Sequence, residues 1–569
     1  MRLQKDTPLK VLFFSSFFFF GLFKEYAACL YTGLWGLYLF VFTGKKKEWK
    51  FYLNQESLSV LIITAFYFLS CLYGIDKGMS LIGAMRMLGV AFFMVLAMQL
   101  SEEGRNRLLT LVPWIGVCMT IIGILSKPFA PIRDFFYVAD RLGGFFQYPN
   151  VYALFCLTGI LIVAKEREEK HVPKTWLTIF QVIVLMSGIM LSGSRTVFFL
   201  VVGAAVVAAV RRKEMRIPVL IGLAAVLVLS LAYVAVSGNY QNVGRFLTAS
   251  FSSSTLIGRI IYARDGLSLL LSHPFGLGYL GYYYLEPEIQ TAFYSVRFIH
   301  NDFLQLALDV GVLPCILFAV MYLKNIFSKR HSFWERLILG VIGLHFLVDF
   351  DLEFISVWYL LIILLQVDHG KEVQISAEKQ RAAGFAAVRI CAAVLALAAL
   401  YFGCAMIPRY VGNPGLSSRL LPLYTESNVE TLVREDDADT AETLAKKIQK
   451  QNRYIAEVYD VLSVTAYQRG DYEEMISDKK KSLSLQKYNM EAYERYVRRL
   501  AQAIEVESQA NRADTTVYLL EAVAEVPVIL ENVEKGTDEL AYRTRDIPDF
   551  TLDEDIQEYI ESVRQLLGS

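Results

Sequence analysis

Residues 300–314 read HNDFLQLALDVGVLP, and they close a long polar interval, Ser237 to Pro314, that lies between two sets of apolar runs. The interval carries Arg259, Arg264, His273, His300 and Asn301. A run of roughly 20 mostly apolar residues suits a membrane-spanning helix, because in hydrocarbon only internal hydrogen bonding satisfies the backbone. By that template spans are predicted near 9–24, 26–43, 57–75, 80–100, 108–126, 148–164, 175–192, 195–210, 217–237, 302–327, 333–349, 354–367 and 384–407. The first is short and Phe-rich, VLFFSSFFFFGLF, but it lacks a small-residue cleavage site and another span follows at once, so it reads as an anchor.

Composition agrees with a membrane protein. The 569 residues are 55% hydrophobic and 13% aromatic, above the norm for soluble domains. Lys+Arg and Asp+Glu are equal at 56 each, which argues against a nucleic-acid partner, since phosphate recognition rests on a clustered basic surface. The seven cysteines are odd in number, fall in or beside apolar runs and show no CxxC spacing, so they read as small buried side chains and imply neither disulfides nor zinc.

Lysine and arginine mark one set of alternate connections: Lys45 to Lys47 with Lys50, Arg105 and Arg107, Lys165 to Lys174, Arg211 to Arg216, Lys324 to Arg336, and Lys371 to Arg381. This set is expected to be cytoplasmic, and the cation-poorer set, with the loop 238–301, to face outward. With an odd number of spans, the tail after Pro408 falls on the same outer side. The expected fold is all-α: a polytopic membrane helix bundle of about 12–13 spans, with a long outer loop and a C-terminal soluble α-helical, repeat-like domain. Its parts are N-terminal helices over 1–140, a core over 141–370, a last helix and linker over 371–410, and the tail over 411–569. Within the tail, AEVYDVLSVTAYQRGDYEEMISDKKKSLSLQKYNMEAYERY (456–496) resembles a tetratricopeptide repeat and the start of another, with Gly470-Asp471-Tyr472 as the interhelical turn. Such repeats bury their faces by stacking, so further helices are expected near 512–532 and 552–567. The tail is either a docking surface for a protein partner or a stabilising cap.

Several chemistries lack support. There is no Walker loop, GxGxxG, HExxH or GxSxG elbow, and no cytoplasmic connection is long enough for a nucleotide-sugar domain. Any substrate must already be outside or arrive through the lipid. Three positions converge on that face. Arg195, in LSGSRT, sits in a turn too short to reach water and needs an anionic partner or dense hydrogen bonding. Arg259, in LIGRII, offers a planar fork suited to phosphate. His300 stands beside these cations and should resist protonation, which leaves a neutral base. Taken singly, Arg195 reads as a snorkelling or headgroup contact and His300 as a helix-start hydrogen bond; the spacing to Gly311 turns the joint reading toward function. Arg264 lies five residues beyond Arg259 and points elsewhere. His273 is read as structural. Tyr282 and Tyr283, with neighbouring aromatics, suit stacking on sugar rings or an interfacial belt. Asp349, Asp351 and Glu353 could orient His300 or an acceptor hydroxyl but read rather as markers of the outer boundary, and Gly143, Gly144 and Asn150 as shaping a re-entrant connection.

These residues resemble the O-antigen ligase and polymerase superfamily of bacterial envelope biogenesis, across roughly 140–367. The pieces are GGFFQYPNVYA at 143–153, SGSRT at 192–196, GRIIYARDGLSLLLSHPFGLG at 258–278, and His300-Asn301 followed after nine residues by Gly311. Pro314 stands where the family has Gly, Thr or Tyr, and Tyr262 or Ala263 where it has Trp. The resemblance implies transfer of a glycan from an undecaprenyl-diphosphate-linked donor to an acceptor hydroxyl at the outer face of a bacterial cytoplasmic membrane, without metal, nucleotide or other cofactor. Arg195 and Arg259 would hold the diphosphate and His300 would take the hydroxyl proton, with Asn301, Arg264, Tyr282 and Tyr283 as candidate substrate contacts. The acceptor would be a glycan, a lipid or the cell wall. Competing readings are a transporter or flippase of lipid-linked sugars, for which Arg86 is the clearest intramembrane cation, and a membrane-anchored scaffold working through the tail.

Overall fold

The structure, a computed structural model, describes residues 7–46, 48–169, 175–217, 254–376 and 382–568. The predicted span 217–237 and the loop portion 238–253 fall almost wholly outside the described residues. The protein is an all-α, multi-pass membrane protein, and among the described residues seven helices are long and apolar enough to cross a membrane. In chain order the helices of the first part are α1 (Thr7–Ser16), α2 (Glu25–Lys46), α3 (Gln55–Tyr73), α4 (Lys77–Ala97), α5 (Glu102–Leu109), α6 (Leu111–Ser126), α7 (Ala130–Phe136), α8 (Pro149–Glu168), α9 (Thr175–Ser192) and α10 (Arg195–Arg211). The core continues with α11 (Ser254–Ser272), α12 (Gly281–Ile289), α13 (Asp302–Val310), α14 (Val312–Phe327), α15 (Phe333–Phe346), α16 (Ile355–Leu365) and α17 (Ala382–Tyr410).

Two predicted spans are not continuous helices. The stretch 9–24 stops at Ser16, because the chain turns through positive φ at Phe20 (55°), Gly21 (57°) and Leu22 (61°). The stretch 302–327 is two helices broken at Gly311, whose φ of 94° no L side chain adopts without strain. The apolar faces left outward, including Leu72, Trp176, Phe199, Val394 and Leu397, would be costly in water and suit a lipid surround. Of the cysteines, Cys29 and Cys156 are buried as expected, whereas Cys391 and Cys404 lie exposed on α17.

Each end of the bundle is laced by its own polar contacts. At the cation-rich end two short strands, β1 (Glu48–Leu53) and β4 (Lys371–Ser376), pair antiparallel, with Lys50 opposite Gln374. Nearby, Arg105 pairs with Asp368 at 2.5 Å, Arg330 with Glu56 at 2.9 Å, and Lys165 with Glu335 at 3.3 Å. At the opposite end a two-residue hairpin, β2 (Tyr137–Val138) and β3 (Arg141–Leu142), precedes α8. There Ile75 N donates to Leu277 O at 2.9 Å. The last helix returns to the first: α17 packs along α2, where a Cβ at Gly33 would lie 2.3 Å from Leu400, the close backbone approach that small residues permit in membranes. Arg86 in α4 is sealed inside, its guanidinium donating to Glu353 Oε2 at 3.2 Å and Glu353 O at 2.7 Å and lying 4.5 Å from the Tyr279 ring centroid.

After α17 the tail forms α18 (Pro414–Leu420), α19 (Thr425–Val433), α20 (Ala438–Gln451), α21 (Ala456–Arg469), α22 (Tyr472–Ser484), α23 (Met490–Gln509), α24 (Ala513–Lys535) and α25 (Glu554–Gly568). Gly470, at φ 74°, turns α21 into α22, and α23 packs on α24 in the same antiparallel-neighbour manner. The first tail helices share one apolar core with the bundle, through Leu421, Tyr424, Leu432, Ile448 and Leu462. Asp76, capping α4, also accepts from Asn452 Nδ2 at 3.1 Å and from the Thr425 hydroxyl.

Candidate functional site

The motif His300-Asn301, nine residues, Gly311 has a direct structural content. Asn301 is the N-cap of α13: its Oδ1 accepts from Leu304 N at 2.9 Å, while its Nδ2 donates to Leu347 O at 3.0 Å. The nine residues are the helix, and Gly311 ends it. The segment HPFGLG then closes the far end, since Leu277 N and Gly278 N donate to the carbonyls of Leu308 and Asp309 at 2.6 and 3.0 Å, groups a helix terminus leaves open. Asp302, the next residue, accepts from Asp351 N at 2.9 Å and Leu352 N at 2.8 Å, which fastens the acidic turn after α15 beside His300.

That turn delivers Asp349. Its carboxylate is fully buried and accepts from Tyr148 Oη at 2.8 Å and Asn150 Nδ2 at 2.7 Å. The Arg259 guanidinium stands 3.6 Å away, near enough to attract and too far to be saturated. Arg259 Nε is buried and has no hydrogen-bond partner among the described residues, and His300 Nδ1 shares that condition. The imidazole lies between Tyr262, at 5.4 Å between ring centroids, and Phe350, which meets it edge-on at 5.0 Å. Burial pushes His300 down to about 4; Asp349 opposes that shift and Arg259 adds to it. Asp349 itself is pushed up by burial, but His300, Arg259 and His345 outweigh this and hold it below the ordinary carboxylate range. At neutral pH the site is a neutral imidazole and a guanidinium around one carboxylate, the arrangement needed to take a proton beside an incoming anion.

The sequence-expected residues divide. Arg259 and His300 meet around Asp349. Arg195 opens α10, half-buried, and forms no hydrogen bond or ion pair among the described residues. Its turn is nonetheless joined to the cluster, because Arg141 donates to Ser192 O at 2.7 Å and to Asn150 Oδ1 at 2.8 Å. Asn301 spends both ends of its amide on the cap and Leu347. Arg264 points away from the cluster, pairing with Asp538 of the tail at 2.7 Å and donating to Thr291 Oγ1 at 3.1 Å. Tyr282 is fully buried among Leu269, Leu277, Leu285 and Ile299, so its ring offers no face to a sugar. Tyr283 is half-buried against Tyr284 and the Arg297 guanidinium.

Tyr148, Asn150 and Arg141 are not among the sequence-expected site residues, and Asp349 is expected there only as the less favoured alternative to a boundary marker. The acidic trio is structural in its contacts: Asp349 and Asp351 are completely buried, Asp351 bonded to His345 Nδ1 at 2.6 Å, and Glu353 is bound to Arg86. Its signal was available, since two cations assigned to one sparsely hydrated face require a carboxylate on that face. Tyr148 and Asn150 lie within the quoted GGFFQYPNVYA, where only a shaping role was read.

The family model described as O-Antigen ligase matches residues 180–319, a stretch that contains Arg195, Arg259, His300 and Asn301 and ends before Asp349. No curated protein and no solved structure matches the chain.

Proposed function

We propose that the protein is a membrane glycosyltransferase of the O-antigen ligase and polymerase type, acting at the outer face of a bacterial cytoplasmic membrane on a glycan carried by a polyprenyl diphosphate. The observation that carries this reading is the juxtaposition of two groups from the matched stretch, an unsaturated guanidinium and a neutral imidazole, around the buried carboxylate of Asp349, which lies beyond that stretch. Arg259 receives the donor diphosphate, with Arg195 as a second cation from the neighbouring turn. The acceptor hydroxyl oxygen forms its bond to the anomeric carbon as the bond from that carbon to the phosphate oxygen breaks; the electron pair leaves on the diphosphate and the proton passes to His300. Fixed guanidinium charge is most effective where charge develops in the transition state. The anionic donor also counters Arg259 and so raises the proton affinity of an imidazole that burial otherwise holds low.

The reading is tested with the purified full-length protein, a polyprenyl-diphosphate-linked oligosaccharide and candidate acceptors, following whether product lengthens on the lipid or moves to another acceptor. His300→Ala is expected to abolish product at an unchanged membrane level. Normal product from that variant refutes the assignment of the base. The flippase reading draws no support from Arg86, which is neutralised by Glu353 and closed over by Tyr279.

A further inference from the structure

The twelve residues that lead into His300, 288–299, are held by the tail at several points. Glu288 pairs with Lys481 at 2.8 Å, Thr291 O accepts from Asp538 N at 2.8 Å, and the ring of Phe293 lies 6.2 Å from that of Tyr488. Ala292 is buried with Ile261 of α11 and Ala541 of the tail in a small apolar cluster. Arg297 is the last and strongest tie: one nitrogen lies 2.5 Å from Glu25 at the start of α2, and another 2.5 Å from Glu426 in α19. Glu426 is itself fixed by Arg409 at 2.5 Å, and Glu25 by Tyr410 Oη at 2.7 Å. Arg297 is itself half-buried, but both carboxylates are largely buried, and charge-assisted contacts to buried partners help set geometry.

Little slack remains between Arg297 and His300. Phe298 is 2% exposed and Ile299 0%, and Ile299 N donates to Gln305 Oε1 at 2.8 Å. A shift of the Arg297 backbone therefore reaches the imidazole rather than dissipating in a loop. We infer that the C-terminal helical tail is a clamp on the His300-bearing segment, with Arg297 and Glu426 as positioning residues that hold the imidazole opposite Arg259 and Asp349. This rests on the reading of His300 as the base. It assigns the tail a role in turnover that needs no protein partner, and it accounts for the shared apolar core of bundle and tail, which a freely swinging docking module would not need.

The test uses the full-length protein with Glu426→Gln and, separately, Asp538→Asn. The first weakens the Arg297 bridge; the second, at a side chain that is 22% exposed, weakens the Arg264 contact with little risk to folding and carries the test if the first variant is not recovered. Two quantities are read: kcat and donor KM on a polyprenyl-diphosphate-linked oligosaccharide, and amide hydrogen exchange of peptides covering 288–305. Positioning predicts that kcat falls by about 10-fold to 100-fold with donor KM unchanged, since small misplacements of a reacting group have costs of that order. It also predicts faster exchange over 298–301. Wild-type exchange in that segment overturns the clamp, as does wild-type kcat or an effect confined to KM. If His300→Ala keeps full turnover, the base assignment fails instead, so the two failures are told apart.

Discussion

Replacing Asp349 by Asn keeps the shape of the side chain and removes its charge. Tyr148 Oη, at 2.8 Å, still finds an acceptor in the carboxamide oxygen. The other contact does not survive: Asn150 Nδ2, donating at 2.7 Å, then meets a second amide donor and keeps only Tyr148 Oη, at 3.4 Å, so on this half-buried side chain the loss is about 1 kcal/mol. Arg259 loses its only ion pair among the described residues. Breaking a buried pair costs roughly 3–5 kcal/mol, and the 3.6 Å separation with a 19% exposed Arg259 side chain places this case at the lower end. Together these give about 4 kcal/mol, a large part of an ordinary folding margin. The assay is thermal unfolding of the detergent-purified protein alongside glycan transfer. The variant is expected to unfold at lower temperature and to lose most of its transfer activity. The pH dependence supplies a third reading. In the wild type the imidazole is held down to about 4, so the acid limb of kcat/KM is expected near that pH and not near 6.5. Because Asp349 opposes the downward shift, its neutralisation moves the limb lower still. For stability the sign is opposite in effect: between 6.5 and about 4 the unfolded chain binds this proton and the folded chain does not, so His300 costs stability as pH falls through that window. An Asp349→Asn protein with wild-type stability, transfer and acid limb refutes the hub role of this carboxylate.

Arg259→Lys keeps the charge and loses the fork, and donor turnover is expected to fall about 100-fold, the scale on which a single donor to a developing anion acts; undiminished turnover removes bidentate diphosphate binding from the scheme. Gly311→Ala places a Cβ 2.8 Å from the backbone carbon of Phe275 and 2.9 Å from its oxygen, at a φ of 94°. The strain and overlap are expected to cost about 2–4 kcal/mol, seen as a lower unfolding temperature, and an unchanged temperature shows that the junction of α13 and α14 is not rigid.

Most of the bundle could be read from apolar run length, because the hydrocarbon core imposes a length on any helix that crosses it. Thr175–Ser192 was located to the residue. What run length cannot reveal is a break inside an apolar stretch: LALDVGVLP is continuous in hydropathy, and only the backbone of Gly311 divides it. Asp309 was the available warning, an acid that no lipid-facing helix needs, here bonded to Tyr67 Oη at 2.7 Å. The site was half readable for a similar reason. Arg259 and His300 stand out because cations and imidazoles are unusual at such a face. Asp349 looked ordinary, since acids in short outer turns normally meet water, and its burial depends on Tyr148, Asn150 and Arg259, which come from two distant parts of the chain. The tail contacts of Arg264 and Arg297 lie further beyond sequence reading, because their partners, Asp538 and Glu426, carry no local pattern.

The ribbon of β1 and β4 has a consequence for how the chain is made. Lys50 and Glu372 are 322 positions apart, so the first strand is synthesised long before its mate exists. Throughout that time β1 is an open edge, with unpaired backbone groups beside a half-inserted bundle, and α2 lacks α17, the helix that covers Gly33. Closure is therefore a late, nonlocal event, of the kind whose entropic cost precedes its reward. The same event brings Tyr410 to Glu25 and the tail within reach of Arg297. A ribosome-bound chain that has completed every helix up to α16 still lacks the tail contacts that bind the segment before His300, so the proposed site is complete only after α17 and the tail have docked.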